Sequence, residues 1–440
     1  MAIRNNDRHV LVALLNGTLA GNIYQSSSGN LRFVYDDDWR QAEDAFPLSL
    51  SMPLAAVEHG DDVITAFLWG LLPDNERTLD QYGRLFGVSS RNPVALLRHL
   101  GADCAGAVQF VAPENADEIQ AVAQAGRIEW MDEHDVAREL RTARERGIPG
   151  VSVGTVGQFS LAGAQPKIAL VEEDGRWGRP SGRIPTTRIL KPPSGEFSAF
   201  AENEHFCLEL AAGLQLGAVQ SRVMKFDDEI AIVVNRFDRV KRRQQYVRIH
   251  QEDTCQALGV MPTRKYESEG GPGIAAIITL LRDVSTSSIE DIERFIQATA
   301  LNWVIAATDA HAKNYALLLG PRGGVRLAPF YDILSYLPYA DSALHEVKLA
   351  MKIGGRYLVK RVTRSSWETL AESTGLPGKD VLQNVAVVLE RLPAIVDRVA
   401  GNSIEAGLNS ESVEKLRTRV LARTKECAME LAREPRSALP

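Results

Sequence analysis

The chain has 440 residues, 45% of them hydrophobic, and a formal net charge of −6. That length exceeds one hydrophobic core and calls for two or three domains, and the apolar content is that of a globular protein. The acidic balance argues against a protein that grips nucleic acid by itself.

From the N-terminus, residues 9–15, a turn at Asn16-Gly17, and residues 19–24 and 31–35 predict a short β-meander, since Asn-Gly is a strong hairpin signal. Helical segments are expected at 67–72 and 93–100. Charged residues at 114–118 and 132–150 predict a connector. The expected division is therefore an N-terminal β-rich domain at 1–112, a charged connector at 113–150, and two further parts at 151–246 and 247–440.

The string Phe159-Ser160-Leu161-Ala162-Gly163-Ala164-Gln165-Pro166-Lys167, continuing to Leu170, predicts strand, tight turn, strand. Small residues let backbone N–H groups approach phosphate oxygens closely, although such a turn by itself is an ordinary hairpin. Residues 187–191 predict a strand ending in Lys191, and a lysine so placed can pair with ATP phosphates. Glu202 and Glu204 open a predicted helix at 201–214, where the acidic partner of that lysine would sit. The β-branched run 230–234 predicts a core strand leading into Asn235, Arg236 and Phe237. In a kinase, that strand end is the hinge whose backbone reads adenine.

Ser287, three residues before Glu290, predicts a capped helix start. Ile289, Ile292, Phe295, Ile296, Thr299, Ala300, Trp303 and Val304 then fall on one helical face. This helix should deliver the chain to Thr308-Asp309-Ala310-His311-Ala312-Lys313-Asn314. A predicted hairpin, 315–319 and 325–328 around Gly320-Pro321-Arg322-Gly323-Gly324, follows and runs into Pro329-Phe330-Tyr331-Asp332-Ile333. A hairpin brings its ends together, so Asn314 and Asp332 should lie close in space. Phosphoryl transfer needs this set: a carboxylate to deprotonate a hydroxyl, and an Asn and an Asp to hold the metal on ATP. Asp309-x-His311 could alternatively begin a metallohydrolase site, but only 8 His occur and no HxH or HExxH pattern is present. From Ser365 onward the spacing predicts an α-helical extension.

At these residues the chain resembles HipA, the serine/threonine kinase toxin of bacterial HipBA toxin–antitoxin modules, over nearly its whole length. Further markers are Pro47-Leu48-Ser49-Leu50-Ser51-Met52-Pro53, Leu71-Leu72-Pro73-Asp74-Asn75, Gln251-Glu252-Asp253 and Lys265-Tyr266-Glu267-Ser268-Glu269-Gly270-Gly271-Pro272-Gly273-Ile274. The resemblance implies an α+β, protein-kinase-like two-lobed fold with an N-terminal β-rich subdomain and an all-α C-terminal lobe. It implies Asp309 as proton acceptor, Asn314 and Asp332 as magnesium ligands, and Lys191 on the nucleotide phosphates. The ATP site would further include Ala162, Gly163, Ala164, Gln165, Pro166, Lys167, His311, Ala312, Lys313 and Tyr331, with Asn235, Arg236 and Phe237 at the adenine. Ser160 would be an autophosphorylation site whose phosphate, about −1.5 to −2 in charge, displaces the loop from ATP and switches the kinase off. Two positions depart from the family pattern: Pro166 and Asn235 each stand where Glu is common. Expected partners are a HipB-like DNA-binding antitoxin, operator DNA through that complex, where the chain would act as corepressor, and a protein substrate, glutamyl-tRNA synthetase in relatives, whose modification leads to growth arrest and persistence.

Two other readings belong to different classes: a small-molecule phosphotransferase, which would need neither the Ser160 loop nor the N-terminal domain, and a non-catalytic partner in an operator complex. Two basic runs, Arg236, Arg239, Lys241, Arg242, Arg243, Arg248 and Lys415, Arg417, Arg419, Arg423, Lys425, are expected to be mostly solvated faces. Their functional alternative is docking of a tRNA-associated substrate or of operator phosphates. No apolar run reaches the roughly 18 residues of a membrane span and the start is polar. Four cysteines without paired spacing, Cys104, Cys207, Cys255 and Cys427, read as reduced thiols, so a cytoplasmic location without membrane attachment is expected.

Overall fold

The computed structural model describes residues 7–115, 126–148, 162–181, 184–193, 199–243, 245–340 and 344–433. The chain divides into two units, each assembled from separate stretches. The first comprises Met1–Ser194, Met224–Thr263 and Leu317–Val325; the second comprises Gly195–Val223, Arg264–Ala316 and Arg326–Pro440.

The predicted meander forms in the first unit as β1 (Arg8–Leu15), β2 (Thr18–Gln25) and β3 (Leu31–Tyr35). The pairs β4 (Glu58–His59) and β5 (Val108–Val111) extend it to the order β4-β3-β2-β1-β5. Asn16 (φ 51) and Gly17 (φ 82) both take the left-handed conformation that a tight hairpin turn between right-twisted strands requires. Leu11, Ala13, Ile23 and Phe33 bury one sheet face against Phe67, Leu71, Tyr82 and Leu97 of the helices Asp61–Leu71, Glu76–Phe86 and Pro93–Leu100.

A second sheet holds six strands: β6 (Ile128–Met131), β7 (Ile168–Glu173), β8 (Arg176–Pro180), β9 (Arg188–Lys191), β10 (Ser221–Phe226) and β11 (Glu229–Asn235). Their order is β10-β11-β9-β7-β8-β6. The stretch expected as a charged connector, 113–150, supplies β6 and the helix Glu133–Arg146. A helix can be charged overall and still bury one stripe. This one buries Val136, Ala137, Leu140 and Ala143 with Ile168, Leu190 and Val233, while Arg141 and Arg144 pair with Glu229.

The N-terminal domain shares the first unit with this sheet. Asp103, just ahead of β5, is buried and accepts hydrogen bonds from Thr186 N (3.0 Å) and Oγ1 (2.7 Å), Arg239 Nη2 (2.9 Å), Arg248 Nη2 (3.1 Å) and Arg236 Nη1 (3.4 Å). Asp238 completes the cluster, bonding Arg236 Nη2 at 2.8 Å and accepting from Gly106 N at 2.7 Å. Burial alone would raise the Asp103 carboxyl, but the charges of Arg239, Arg236 and Arg248 and the Thr186 bond hold it well below the usual carboxylate range. The first basic run is thus corrected at three positions: Arg236, Arg239 and Arg248 are buried and internally paired, leaving Lys241, Arg242 and Arg243 as its exposed members.

A second tie is Glu252, which accepts from Leu50 N at 2.8 Å and from the Ser49 hydroxyl. Burial, offset only in part by those bonds, pushes its carboxyl up to about 8.

The second unit is mainly helical, built on Phe200–Gly213, Ile274–Val284, Ser288–Ile305, Arg364–Thr374, Gly378–Glu405 and Ser410–Ala432. It is not entirely α: Lys348–Ile353 and Arg356–Leu358 pair as a small antiparallel sheet. Trp303 and Trp367 meet at 5.7 Å in its core, and Trp303 Nε1 donates to Val359 O at 3.1 Å. Arg423 of the second basic run is buried there and donates to the same carbonyl at 3.0 Å, while Arg417 pairs with Asp397 at 2.8 Å. Ile289, assigned to the apolar face, is 77% exposed, and Ser287 makes no side-chain cap. The anchoring residue at this helix start is instead Asp291. None of the four cysteines is in a disulfide and all are buried. No helix of the described residues is long and apolar enough to cross a membrane.

Asp103→Ala removes the carboxylate that three buried guanidinium groups share, so denaturant unfolding is expected to show a loss of about 3–5 kcal/mol. Glu252 generates a pH effect with a definite sign. Its folded-state value lies above the ordinary 4.5, so the folded chain keeps a proton that the unfolded chain has released. Stability therefore falls as pH rises from about 4.5 to about 8 and levels off above that. The Tm of wild type should drop relative to that of Glu252→Gln across this window; a constant difference would contradict the assignment.

Candidate active site

The loop after the Ser288–Ile305 helix is placed by what stops the helix. Ala306 turns left-handed (φ 52), and Ala307 N closes back on Asn302 O at 2.9 Å. The next residues turn around Asp309: its carbonyl accepts from His311 N at 2.8 Å and from Asn314 Nδ2 at 2.7 Å. Asn314 N in turn donates to His311 O at 2.9 Å. His311, Ala312, Lys313 and Asn314 are buried, whereas the Asp309 side chain is 62% exposed. The backbone is thus fixed while the carboxylate faces solvent.

The hairpin Ala316–Leu319 and Val325–Leu327 forms as predicted, and its ends close within the second unit. Ala328 N donates to Ala316 O at 2.9 Å, and Tyr331 Oη donates to Lys313 O at 2.7 Å. This brings the segment bearing Asp332 alongside Lys313-Asn314. Asp291 secures the hairpin base, accepting from Leu327 N (2.9 Å), Ser285 Oγ (2.6 Å) and Arg326 Nε (3.0 Å). Burial would raise the Asp291 carboxyl, but the hydrogen bonds from Arg326, Ser285 and Leu327 N keep it below the usual range. Arg294 adds bonds to Leu327 O (3.2 Å) and Ala328 O (3.3 Å). Past Asp332, Ser335 N donates to Asn203 Oδ1 at 3.0 Å and Asn203 Nδ2 to Ser335 O at 2.8 Å. The helix of Glu202 and Glu204, both buried, therefore carries the anchor for the Asp332 segment.

Asp332 has φ 56, a conformation that Asp tolerates better than most residues and that clusters at functional sites. Asn314 and Asp332 offer oxygen donors, the kind a magnesium ion takes. With its Nδ2 committed to Asp309 O, Asn314 has Oδ1 as its acceptor atom. The residues fit the ion. Among the described residues, no three His, Cys, Asp or Glu side chains gather as a metal cluster, and Asp309 and His311 belong to no such group.

The other expected nucleotide residues, 162–167, Lys191 and 235–237, lie in the first unit. Gly163 is left-handed (φ 105), and a Cβ there would meet Lys167 Nζ at 2.6 Å. Lys167 Nζ donates to Ala162 O at 2.6 Å and Gln165 Nε2 to Pro192 O at 3.4 Å, closing the turn while Ala164 stays exposed. Asp74 N donates to Gly163 O at 3.2 Å, so the Leu71-Leu72-Pro73-Asp74-Asn75 string of the N-terminal domain bonds the loop directly. Lys191 is buried at the end of β9, paired in register with Ile232. Asn235 ends β11 as expected. Arg236 follows, its guanidinium in the Asp103–Asp238 cluster and its N–H donated to Thr187 O at 3.0 Å. Phe237, beside it, is half-buried. Ser160 lies outside the described residues.

One residue escaped the sequence reading. Tyr266 donates its phenol hydrogen to Asp309 Oδ1 and sets its ring edge-on to His311 at 4.9 Å. Its signal was present, because it sits in the 265–274 string, but nothing in the local pattern linked it to Asp309.

A family model described as the HipA N-terminal domain matches residues 11–111, and one described as the HipA-like C-terminal domain matches residues 159–396. A putative kinase, Y4mE, of Sinorhizobium fredii is 34% identical over 418 residues, covering 94% of this chain and 98% of the relative. The serine/threonine-protein kinase toxin HipA of Shewanella oneidensis is 29% identical over 393 residues, 86% of each chain. A solved structure of the Shewanella oneidensis toxin–antitoxin system, containing HipA, HipB and operator DNA, superposes with a TM-score of 0.81. That match has 24% identity and covers 97% of this chain and 100% of the other.

Proposed function

The chain belongs to the HipA family, and from that premise we propose that it is an ATP-dependent serine/threonine protein kinase. The observation that carries the reading is the exposed Asp309 carboxylate on a backbone pinned through its own carbonyl by His311 and Asn314. A proton acceptor has to be reachable by a substrate hydroxyl yet held in one place.

In the proposed reaction Asp309 takes the proton of a serine or threonine hydroxyl as its oxygen bonds to the γ-phosphorus. The bond from that phosphorus to the bridging oxygen breaks, and ADP leaves with the electron pair. Asn314 Oδ1 and the Asp332 carboxylate would hold magnesium, which when bound neutralises charge on the phosphates. Lys191 would pair with phosphate oxygens, and the turn of Ala162, Gly163, Ala164, Gln165, Pro166 and Lys167 would cover them. Adenine would lie against the main chain of Asn235, Arg236 and Phe237. Pro166 pre-sets one φ of the covering turn, which favours a stiffer loop.

The biological reading is a toxin of a toxin–antitoxin module, neutralised by a HipB-like antitoxin and reaching operator DNA through it. The names of the Shewanella oneidensis relative and of its complex support this. Glutamyl-tRNA synthetase is the proposed substrate, and Ser160 the proposed site of self-inactivation.

Asp309→Asn and Asp332→Asn are each expected to abolish phosphate incorporation from radiolabelled ATP; incorporation retained in both would remove the mechanism. Ser160→Ala should end self-labelling and preserve transfer to the substrate. Mass spectrometry of the protein with Mg-ATP and a synthetase fraction checks this, and loss of both activities would assign the serine another role.

A further inference from the structure

The Asp309 main chain is fixed by the loop, but its carboxylate is not: His311 Nε2 stands 3.7 Å from Oδ1, too far for a good hydrogen bond. The carboxylate torsion is broad by nature, so something must set it if a hydroxyl is to meet one oxygen in one direction. Among the described residues, the phenol of Tyr266 donates to Oδ1.

Tyr266 is itself held rigidly. Its carbonyl accepts from Glu269 N and Gly271 N, each at 3.0 Å. A Cβ at Gly271 would lie 1.9 Å from Arg264 O, so the turn can close only around glycine. Its neighbour Glu267 accepts from Lys352 N at 2.6 Å, and Lys265 O accepts from Ala312 N at 3.3 Å. The ring stands at 86° to His311. The 264–273 segment is thus bonded both to the strand Lys348–Ile353 and to the catalytic loop.

We propose that Tyr266 is a positioning residue for phosphoryl transfer, its hydroxyl holding Asp309 Oδ1 so that Oδ2 is presented to the substrate hydroxyl. This role rests on the kinase reading above. Its hydroxyl is given to the proposed proton acceptor, so its contribution falls on the chemical step and not on nucleotide binding.

The test is Tyr266→Phe, which keeps the ring against His311 and removes only the hydroxyl. We expect kcat to fall about 100-fold, the scale of a misplaced reacting group. KM for ATP, Mg-ATP affinity by calorimetry and Tm should be unchanged. A second measurement does not depend on activity. In protein labelled with [13Cζ]tyrosine, the resonance lost in Tyr266→Phe should move in Asp309→Ala. That movement together with the kcat loss supports the proposal. An unmoved resonance, an unchanged kcat, or faster transfer in Tyr266→Phe overturns it, the last because the tyrosine would then be blocking Asp309. Wild-type protein that binds Mg-ATP and transfers no phosphate overturns the kinase reading and this role with it, while the NMR comparison still reports the hydrogen bond.

Discussion

Asp103 is one carboxylate placed among three guanidinium groups, and the first unit is organised around it. Ions removed from water cost several kcal/mol each, and only close pairing with satisfied hydrogen bonds offsets the cost. Here the partners come from three stretches: Asp103 from the loop before β5, Thr186 from the approach to β9, and Arg236, Arg239 and Arg248 from the chain after β11. Pairing them fixes where the N-terminal sheet meets the six-stranded one. It also fixes the direction in which the chain leaves the expected hinge, because Arg236 is the first residue beyond β11. A chain with net acidic charge thus spends three of its arginines inside and not on a surface for phosphates.

The same unit joins the N-terminal domain to the loop proposed to cover ATP. Asp74 N bonds Gly163 O, and Pro73 and Gly163 form a parallel bridge. A recess between them is lined by Pro73, Thr78, Tyr82, Gly163, Ala164 and Gln165. An N-terminal domain that touches the phosphate loop by main-chain hydrogen bonds restrains the conformations that loop can adopt. This gives the domain a mechanical relation to the nucleotide residues that a tethered module would lack.

In the second unit a hydrogen-bonded framework holds the segments next to the proposed proton acceptor. Asp291, Arg294 and Asn203 use their hydrogen bonds on backbone atoms of the hairpin base and of the segment after Asp332. Such preorganisation removes reorganisation from the reaction itself. The left-handed Asp332 is held by this framework, at a cost on the order of 1–3 kcal/mol that neighbouring bonds must offset. Tyr266 extends the same logic from backbone to carboxylate.

Periodicity and turn chemistry by themselves determined the meander with its Asn16-Gly17 turn, β9 ending in Lys191, β11 ending in Asn235, and the hairpin between Asn314 and Asp332. Each depends on residues close in sequence. The resemblance of the 265–274 string, the Asp309-to-Asn314 loop and the other markers determined the family. Tertiary structure decided the rest. Ile128–Met131 became a strand and Glu133–Arg146 a helix, whose apolar stripe found Ile168, Leu190 and Val233. Arg236, Arg239 and Arg248 became buried because Asp103, more than a hundred positions away, pairs with all three and Asp238 with two of them. At the helix start Ile289 is exposed while Asp291, bonded to Ser285, is buried. A charge pattern along the chain cannot reveal whether a distant carboxylate will meet it, since burial of an arginine depends on a partner brought near only by folding. The Tyr266–Asp309 pair was hidden for that same reason.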